Sequence, residues 1–245
     1  MRQLRFYVPF QLVDGECCTL PEGVFKHAIK VLRLSVNAEF ILFCGDNREY
    51  QVRLTSIQKK SAEVKILGSQ AVNRESSLKI HLIQSVSKGD RMDFVCQKAT
   101  ELGVYSITPV FTDRANVSLT GDRLEKKYNH WKGVTTSSCE QCGRNFLPHV
   151  YPPEQLESAL KRFSALEIAK FVLSPMAPSQ LLGSQKSHRE LAVLVGPEGG
   201  LTENEIQAAL AAGFQSTLLG PRVLRTETAA ITFISLFQGL WGDLT

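Results

Sequence analysis

Over the first part of the chain, apolar and polar positions follow a strand-like period. Residues 4–8, 39–44, 49–57 and 62–67 read as short strands, with turn residues Gly45-Asp46-Asn47 and Gln58-Lys59-Lys60-Ser61 between them. In the third, Tyr50, Val52 and Leu54 alternate with Gln51, Arg53 and Thr55, as a strand with one buried face requires. One helical stretch interrupts. Phe25, Ala28, Ile29 and Leu32 fall at i, i+3, i+4 and i+7, which turns His27, Lys30 and Arg33 outward. Several short strands with no room for parallel crossovers predict a small barrel over residues 1–70.

The period changes after a polar linker at residues 68–77. Residues 78–86 read as a strand and 91–102 as a helix burying Met92, Val95, Cys96, Ala99 and Leu102, with Gly103 as its stop. A strand at 104–110 and a loop at 111–120 follow. Leu124, Tyr128, Trp131, Thr135, Ser138 and Cys142 then mark one stripe of a long helix. Residues 171–173 form another apolar strand ending in Ser174-Pro175, and 179–189 read as a polar loop or weak helix. The run 191–195 is short, uninterrupted and β-branched, which suits a strand buried on both faces. Thr202 and Glu205 have capping-box spacing and predict a helix over 203–212, stopped by Gly213. A strand at 216–219 and the loop 220–225 lead to a last helix, 227–241, that Thr226 can cap. That helix sets Ala230, Phe233, Ile234, Phe237, Leu240 and Trp241 on one side. Ile231 and Leu236 lie off the stripe, so it belongs in a core or at a subunit interface. Strands alternating with helices predict a parallel α/β sheet over residues 75–245.

Two of these strands run into glycine loops, Gly196-Pro197-Glu198-Gly199-Gly200 and Gly220-Pro221-Arg222-Val223-Leu224-Arg225. Parallel sheets bind ligands beyond the carboxyl ends of their strands, and glycine lets main chain approach a ligand closely. Neither G-x-G-x-x-G nor G-x-x-x-x-G-K-[ST] is present, so a nucleotide-dependent enzyme that cradles phosphate through such a loop is disfavoured. Spacing alone supports a small-molecule pocket, or simple tight turns, and goes no further.

The first glycine loop, followed by Leu219 through Ala229, closely resembles the bacterial ribosomal RNA small subunit methyltransferase E family, part of the SPOUT class of knotted methyltransferases. Arg5-Phe6-Tyr7-Val8, residues 27–33, Lys88-Gly89-Asp90-Arg91-Met92, residues 97–103 and Glu140-Gln141-Cys142-Gly143-Arg144 look like the family too. Residues 150–190 match least, and Val223 stands where isoleucine is frequent. The resemblance implies an α/β protein with a PUA-like RNA-binding β-barrel at 1–70 and a SPOUT domain at 75–245, its trefoil knot at about 191–240. It implies methyl transfer from S-adenosyl-L-methionine to N3 of a uridine in 16S rRNA, within the small ribosomal subunit, by a cytoplasmic homodimer that needs no metal. Gly196, Pro197, Glu198, Gly199, Gly200, Leu219, Gly220, Val223, Leu224, Arg225 and Thr228 would hold the cofactor. N3 of uridine is a weak imide acid, so a base or a cation that steadies the developing anion would speed transfer. Arg144, Glu227 and Arg114 are the catalytic candidates, with Glu198 a further carboxylate of the right type. Glu227 could equally brace the knot loop, and either arginine could be an ordinary ion-pairing residue. A SPOUT enzyme acting on a ribose 2′-OH or a transfer RNA, and a non-enzymatic RNA-binding assembly factor, are the alternatives.

Charge and cysteines adjust this picture little. The net charge of +4 resides wholly in residues 1–74, which hold 11 Lys and Arg against 7 Asp and Glu, while the remainder holds 17 of each. That suits contact with phosphates, though a merely solvated basic face would look the same. No signal peptide or long apolar run is visible, so the expectation is a soluble, intracellular chain without a membrane span. The six cysteines read as free thiols. Cys139-x-x-Cys142 lacks the second pair that a zinc site wants.

Overall fold

The computed structural model describes residues 3–115, 119–177 and 188–244. Two units emerge, one formed by Met1–Glu75 with Thr136–Leu147 and the other by Ser76–Thr135 with Pro148–Thr245.

The first unit is built on a five-stranded mixed sheet of β1 (Arg5–Tyr7), β2 (Cys17–Thr19), β3 (Glu39–Phe43), β4 (Arg48–Ile57) and β5 (Ala62–Ala71), in the order β1-β3-β4-β5-β2. Strand β1 runs parallel to β3, and the other pairs are antiparallel. Tyr50, Val52 and Leu54 point into a core with Phe6, Phe40, Val64 and Ile66, as their alternation predicts. Strand β5 runs past the expected start of the linker. Gly68, Ser69, Gln70 and Ala71 pair with Gln51, Tyr50, Glu49 and Arg48, so ladder bonds rather than apolar side chains hold this end. The helical stretch also departs from a simple 3.6 period. Helix α1 (Glu22–Phe25) widens into a π-helix over Lys26–Val31, marked by a bond from Leu32 N–H to His27 C=O at 2.9 Å. The wider turn keeps Ala28 buried but leaves Leu32 39% exposed, where α-helical spacing places it inside.

The return segment Thr136–Leu147 is fixed to this unit by a polar network. Glu49, 5% exposed, is paired with both Arg5 and Arg74. Arg74 also donates to the Gly143 carbonyl at 2.8 Å, Arg5 to the Asn145 side-chain oxygen at 2.5 Å, and the Tyr7 N–H to a Glu140 carboxylate oxygen at 3.0 Å.

The second unit is a parallel sheet of β6 (Lys79–Ser85), β7 (Ser106–Phe111), β8 (His149–Val150), β9 (Glu154–Gln155), β10 (Ala169–Leu173), β11 (Glu190–Val195) and β12 (Gln215–Thr217). The order is β12-β10-β11-β6-β7-β8, with β9 also on β7. Central β11 is buried on both faces, as its unbroken apolar run predicts. Leu191, Val193 and Val195 join the core beneath α2 (Arg91–Glu101) and α6 (Thr226–Trp241), together with Trp131 of α3 (Gly121–Cys142). Ala192 and Leu194 join the opposite core, under α4 (Leu156–Ser164) and α5 (Glu203–Ala211). The Thr202–Glu205 capping box forms in full. Helix α6 buries Ala230, Phe233, Ile234 and Phe237 as expected, but Leu240 is 51% exposed because the helix is ending there. Thr226 is the first residue of α6 and not its cap; Arg225 takes the cap position without a side-chain bond. The polar stretch read at 179–189 lies almost wholly outside the described residues, as do 116–118 of the loop after β7. Among the described residues no helix is long and apolar enough to cross a membrane.

Candidate active site

Because the second sheet is parallel, the carboxyl ends of β6, β7, β10, β11 and β12 share one edge, and the loops leaving them converge there. The loop after β11 is the first glycine loop. A Cβ on Gly196 would sit 2.9 Å from Cγ and 3.1 Å from the backbone N of Leu201, and one on Gly199 would sit 3.2 Å from Cβ of Arg114. Side chains at these two positions would push the loop off its neighbours. Gly200 and Gly220 are glycine for a different reason: their φ values of +71° and +76° lie in the left-handed region, with open space beside them.

Thr226 clasps the edge together. Its hydroxyl donates to the Gly196 carbonyl at 2.7 Å and accepts from Nε2 of Gln84, at the end of β6, at 2.9 Å. Arg114 donates to the carbonyls of Gly199 at 3.2 Å and Leu201 at 3.4 Å, which makes it a strut under the first glycine loop. The second loop is left open. Among the described residues, the N–H groups of Leu219, Gly220, Arg222, Val223 and Leu224 donate to no other group, and Pro221 between them has none, so two short runs of main-chain donors face outward. Leu219 and Leu224 are half-buried there, Pro197 is buried, Arg225 and Thr228 are exposed, and Val223 is 83% exposed.

Beside the loops lies a charged cluster in which sequence alone singles out only the carboxylates. Arg91, at the start of α2, is ion-paired with Glu198 of the first glycine loop, and its Nε lies 3.9 Å from Oε2 of Glu227. Desolvation raises the Glu198 carboxyl, but its own and the Lys88 backbone N–H groups, together with the Arg91 guanidinium, outweigh that and hold it below its ordinary value. Oε2 of Glu227 is buried without a hydrogen-bond donor among the described residues. Lys88, Gly89, Asp90, Arg91, Phe94 and Glu227 line an open cleft of about 500 Å³. Sequence reasoning misses Arg91 as a site residue, because there it figures only within the family-like stretch 88–92. Its position at the first turn of a helix that starts at the sheet's carboxyl edge is the signal that finds it.

Of the three catalytic candidates, Arg114 and Glu227 belong to this edge, while Arg144 is part of the first unit. Arg144 is in the first unit, 4% exposed, with Nε 3.0 Å from Oε1 of Glu75. Burial alone would lower its guanidinium pKa, but the hydrogen bonds and charge of Glu75 more than offset this and raise it. The nearby Cys139 thiol is buried, close to the Phe146 carbonyl, and burial pushes its pKa up to about 12, which makes it an inert core residue.

Two family profiles match the chain, an RNA methyltransferase domain over residues 74–238 and an RNA methyltransferase PUA domain over residues 20–67. The ribosomal RNA small subunit methyltransferase E of Buchnera aphidicola subsp. Schizaphis graminum is 36% identical over 98% of this chain and 98% of its own length. The chain belongs to the ribosomal RNA small subunit methyltransferase E family of RNA methyltransferases. The Neisseria gonorrhoeae member, solved bound to S-adenosyl methionine, is 42% identical and superimposes with a TM-score of 0.95 over 100% of both chains. A methyltransferase from Legionella pneumophila, solved with bound SAM, is 38% identical with the same TM-score of 0.95 and 100% coverage of both chains. Family membership accounts for a PUA domain followed by a parallel α/β domain.

Proposed function

We propose that the chain transfers the methyl group of S-adenosylmethionine to N3 of a uridine in 16S rRNA of the small ribosomal subunit. The observation that carries this is the carboxyl edge of the second sheet, where two short runs of main-chain donors adjoin the Arg91, Glu198 and Glu227 cluster. The loop at residues 219–224 suits the adenosine part of the cofactor, offering N–H donors next to half-buried Leu219 and Leu224. Residues 196–200, with Arg225 and Thr228, complete that site.

The bound sulfonium supplies a methyl group already activated for transfer. The chain's own residues bind, align and handle a proton. The Glu227 carboxylate, which lines the cleft beside Arg91, takes the proton from uridine N3. Arg91 presents its remaining N–H groups to the negative charge that develops on the uracil carbonyls. The contacts of Arg114 and Arg144 support bracing roles, the first under a cofactor loop and the second inside the RNA-binding unit. N3 lies on the pairing edge, so the uridine must be unpaired when it reacts.

The five-stranded sheet closes as a PUA-like barrel in this reading, and its exposed Lys26, Lys30 and Arg33 take RNA phosphates. The chain leaves edge strand β12 and comes back to lay α6 over β11, β6 and α2, which supports a trefoil knot at about residues 191–240. Exposed Leu240 in the last turn of α6 and exposed Leu244 just after it support a homodimer, and a ribosomal substrate supports a cytoplasmic location.

The test is methyl transfer from labelled S-adenosylmethionine to small subunits lacking the modification, followed by nucleoside mass spectrometry. The expected product is 3-methyluridine. A 2′-O-methyl nucleoside, or no methylated nucleoside, overturns the assignment.

A further inference from the structure

We infer that the cleft lined by Lys88, Gly89, Asp90, Arg91, Phe94 and Glu227 is the acceptor-nucleotide subsite, with the extruded uracil stacked on Phe94. This rests on the methyltransferase reading above and adds to it the residues that hold and select the base.

Phe94 lies on α2 three residues after Arg91, and its ring is 45% exposed while its helix neighbours Val95 and Cys96 are each at most 1% exposed. The ring is about half exposed beside the charged cluster, which leaves one part of it open for a base to stack on. The Lys98 ammonium lies 6.0 Å from its ring centroid and is itself tied to Glu101, so the ring is steadied from its own helix. The cleft's volume of about 500 Å³ falls within the range of ligand-sized pockets, about 300–1,000 Å³.

The charges exclude a simple polyanion groove. Lys88 and Arg91 are matched in the lining by Asp90 and Glu227, and Arg91 is further neutralised by Glu198. Balanced charge suits a single nucleotide, with the Lys88 ammonium, which has no carboxylate partner among the described residues, placed in the lining to take its phosphate. The pairing edge of uracil is an N–H donor flanked by two carbonyl acceptors. The Glu227 carboxylate, which lines the cleft, can accept that N–H while Arg91 donates to a carbonyl. Cytosine carries an acceptor at N3 and would set its lone pair against the same carboxylate. The lining therefore selects uracil as well as holding it.

The experiment compares full-length wild type, Phe94→Ala and Phe94→Tyr in three measurements. These are calorimetric binding of S-adenosylmethionine, fluorescence-anisotropy binding of a labelled uridine-rich oligoribonucleotide, and methyl transfer to unmodified small subunits. Stacking of one base on an aromatic side chain corresponds to about a 5- to 150-fold effect. The expected result is a loss in that range for Phe94→Ala in RNA binding and in kcat/KM. Phe94→Tyr should stay within about twofold of wild type, with cofactor affinity equal in all three. Phe94→Ala binding RNA and transferring methyl within about twofold of wild type overturns the subsite. So does a parallel loss of cofactor affinity, which would give the cleft to the cofactor. If wild type yields no 3-methyluridine but Phe94→Ala still weakens RNA binding, the assigned reaction fails and the nucleotide subsite stands.

Discussion

Thr226→Val tests the clasp at the carboxyl edge with minimal change of shape. The substitution replaces one hydroxyl by a methyl at a residue 5% exposed, so the cost comes from hydrogen bonds and not from a cavity. Two bonds are lost. The Gly196 carbonyl loses its donor at 2.7 Å, and Nε2 of Gln84 loses its acceptor at 2.9 Å, keeping only the Ser85 carbonyl at 3.1 Å. Gln84 is fully buried and its Oε1 already lacks a partner, so the amide cannot turn to recover the loss. A buried group left unsatisfied costs about 1–3 kcal/mol. Gly196 is half-buried and Gln84 keeps one bond, so each belongs at the lower end, for a total of about 2 kcal/mol. For a protein of this size that is a fall in Tm of about 4–8 °C. The clasp also fixes the first glycine loop against α6, so cofactor affinity should fall by about tenfold, equivalent to about 1.4 kcal/mol. Thermal melting and calorimetric titration with S-adenosylmethionine measure the two effects, and Thr226→Ser, which keeps the hydroxyl, should restore both. A Thr226→Val protein within about 1 °C of wild-type Tm and within about twofold of its affinity would refute the reasoning.

Gly199→Val should leave the protein folded but weaken S-adenosylmethionine binding at least about tenfold by calorimetry, because a Cβ at 3.2 Å from Arg114 forces the loop outward. Burial raises the Glu140 carboxyl above its ordinary value, while the Tyr7 N–H and the charges of His27 and Arg5 pull it only part of the way back. A carboxyl raised in the folded state contributes stability below its unfolded pKa and loses it as pH rises through the folded value. Glu140→Gln should therefore raise Tm at pH 7, with the gain vanishing below about pH 4; an equal gain at both pH values would refute the burial argument. Replacing exposed Lys26, Lys30 and Arg33 together by glutamate should weaken RNA binding and flatten its dependence on log salt by about 0.7–0.9 for each phosphate that is no longer neutralised. Anisotropy titrations at several salt concentrations read that slope, and an unchanged slope removes this helix from the RNA surface.

The elements of the second unit were largely legible because their signals are local. The unbroken run of β11, the Thr202–Glu205 pair and the stripe of α2 each carry their own instruction, and all three form as their patterns predict. Helix α4 carries the same kind of signal in Leu156, Ala159, Leu160 and Phe163, but it lies in the stretch 150–190, where the family resemblance is weakest. Strand β2 is three residues of Cys and Thr held only by pairing with β5, so no period within it could reveal it. The site was legible where glycine is obligatory, as at Gly200 and Gly220. Arg91, Arg114 and Arg144 could not be told apart by residue type, since strut, buried ion pair and sheet-edge cation all use the same side chain. Which carbonyl or carboxylate each one faces is decided by strands far away in the chain.

The return of Thr136–Leu147 to the first sheet has a consequence for synthesis. Arg5 and Arg74 gain their last partners, Gly143 and Asn145, only after about 70 further residues, counting from 75 to 145. At about 5–20 residues per second, translation takes about 4–14 s to cover that interval. Throughout it the nascent sheet carries two guanidinium groups whose closing segment has not been made. The amino-terminal unit therefore cannot finish folding in the order in which it is written, and its completion is timed by residues that belong, in sequence, to the middle of its neighbour.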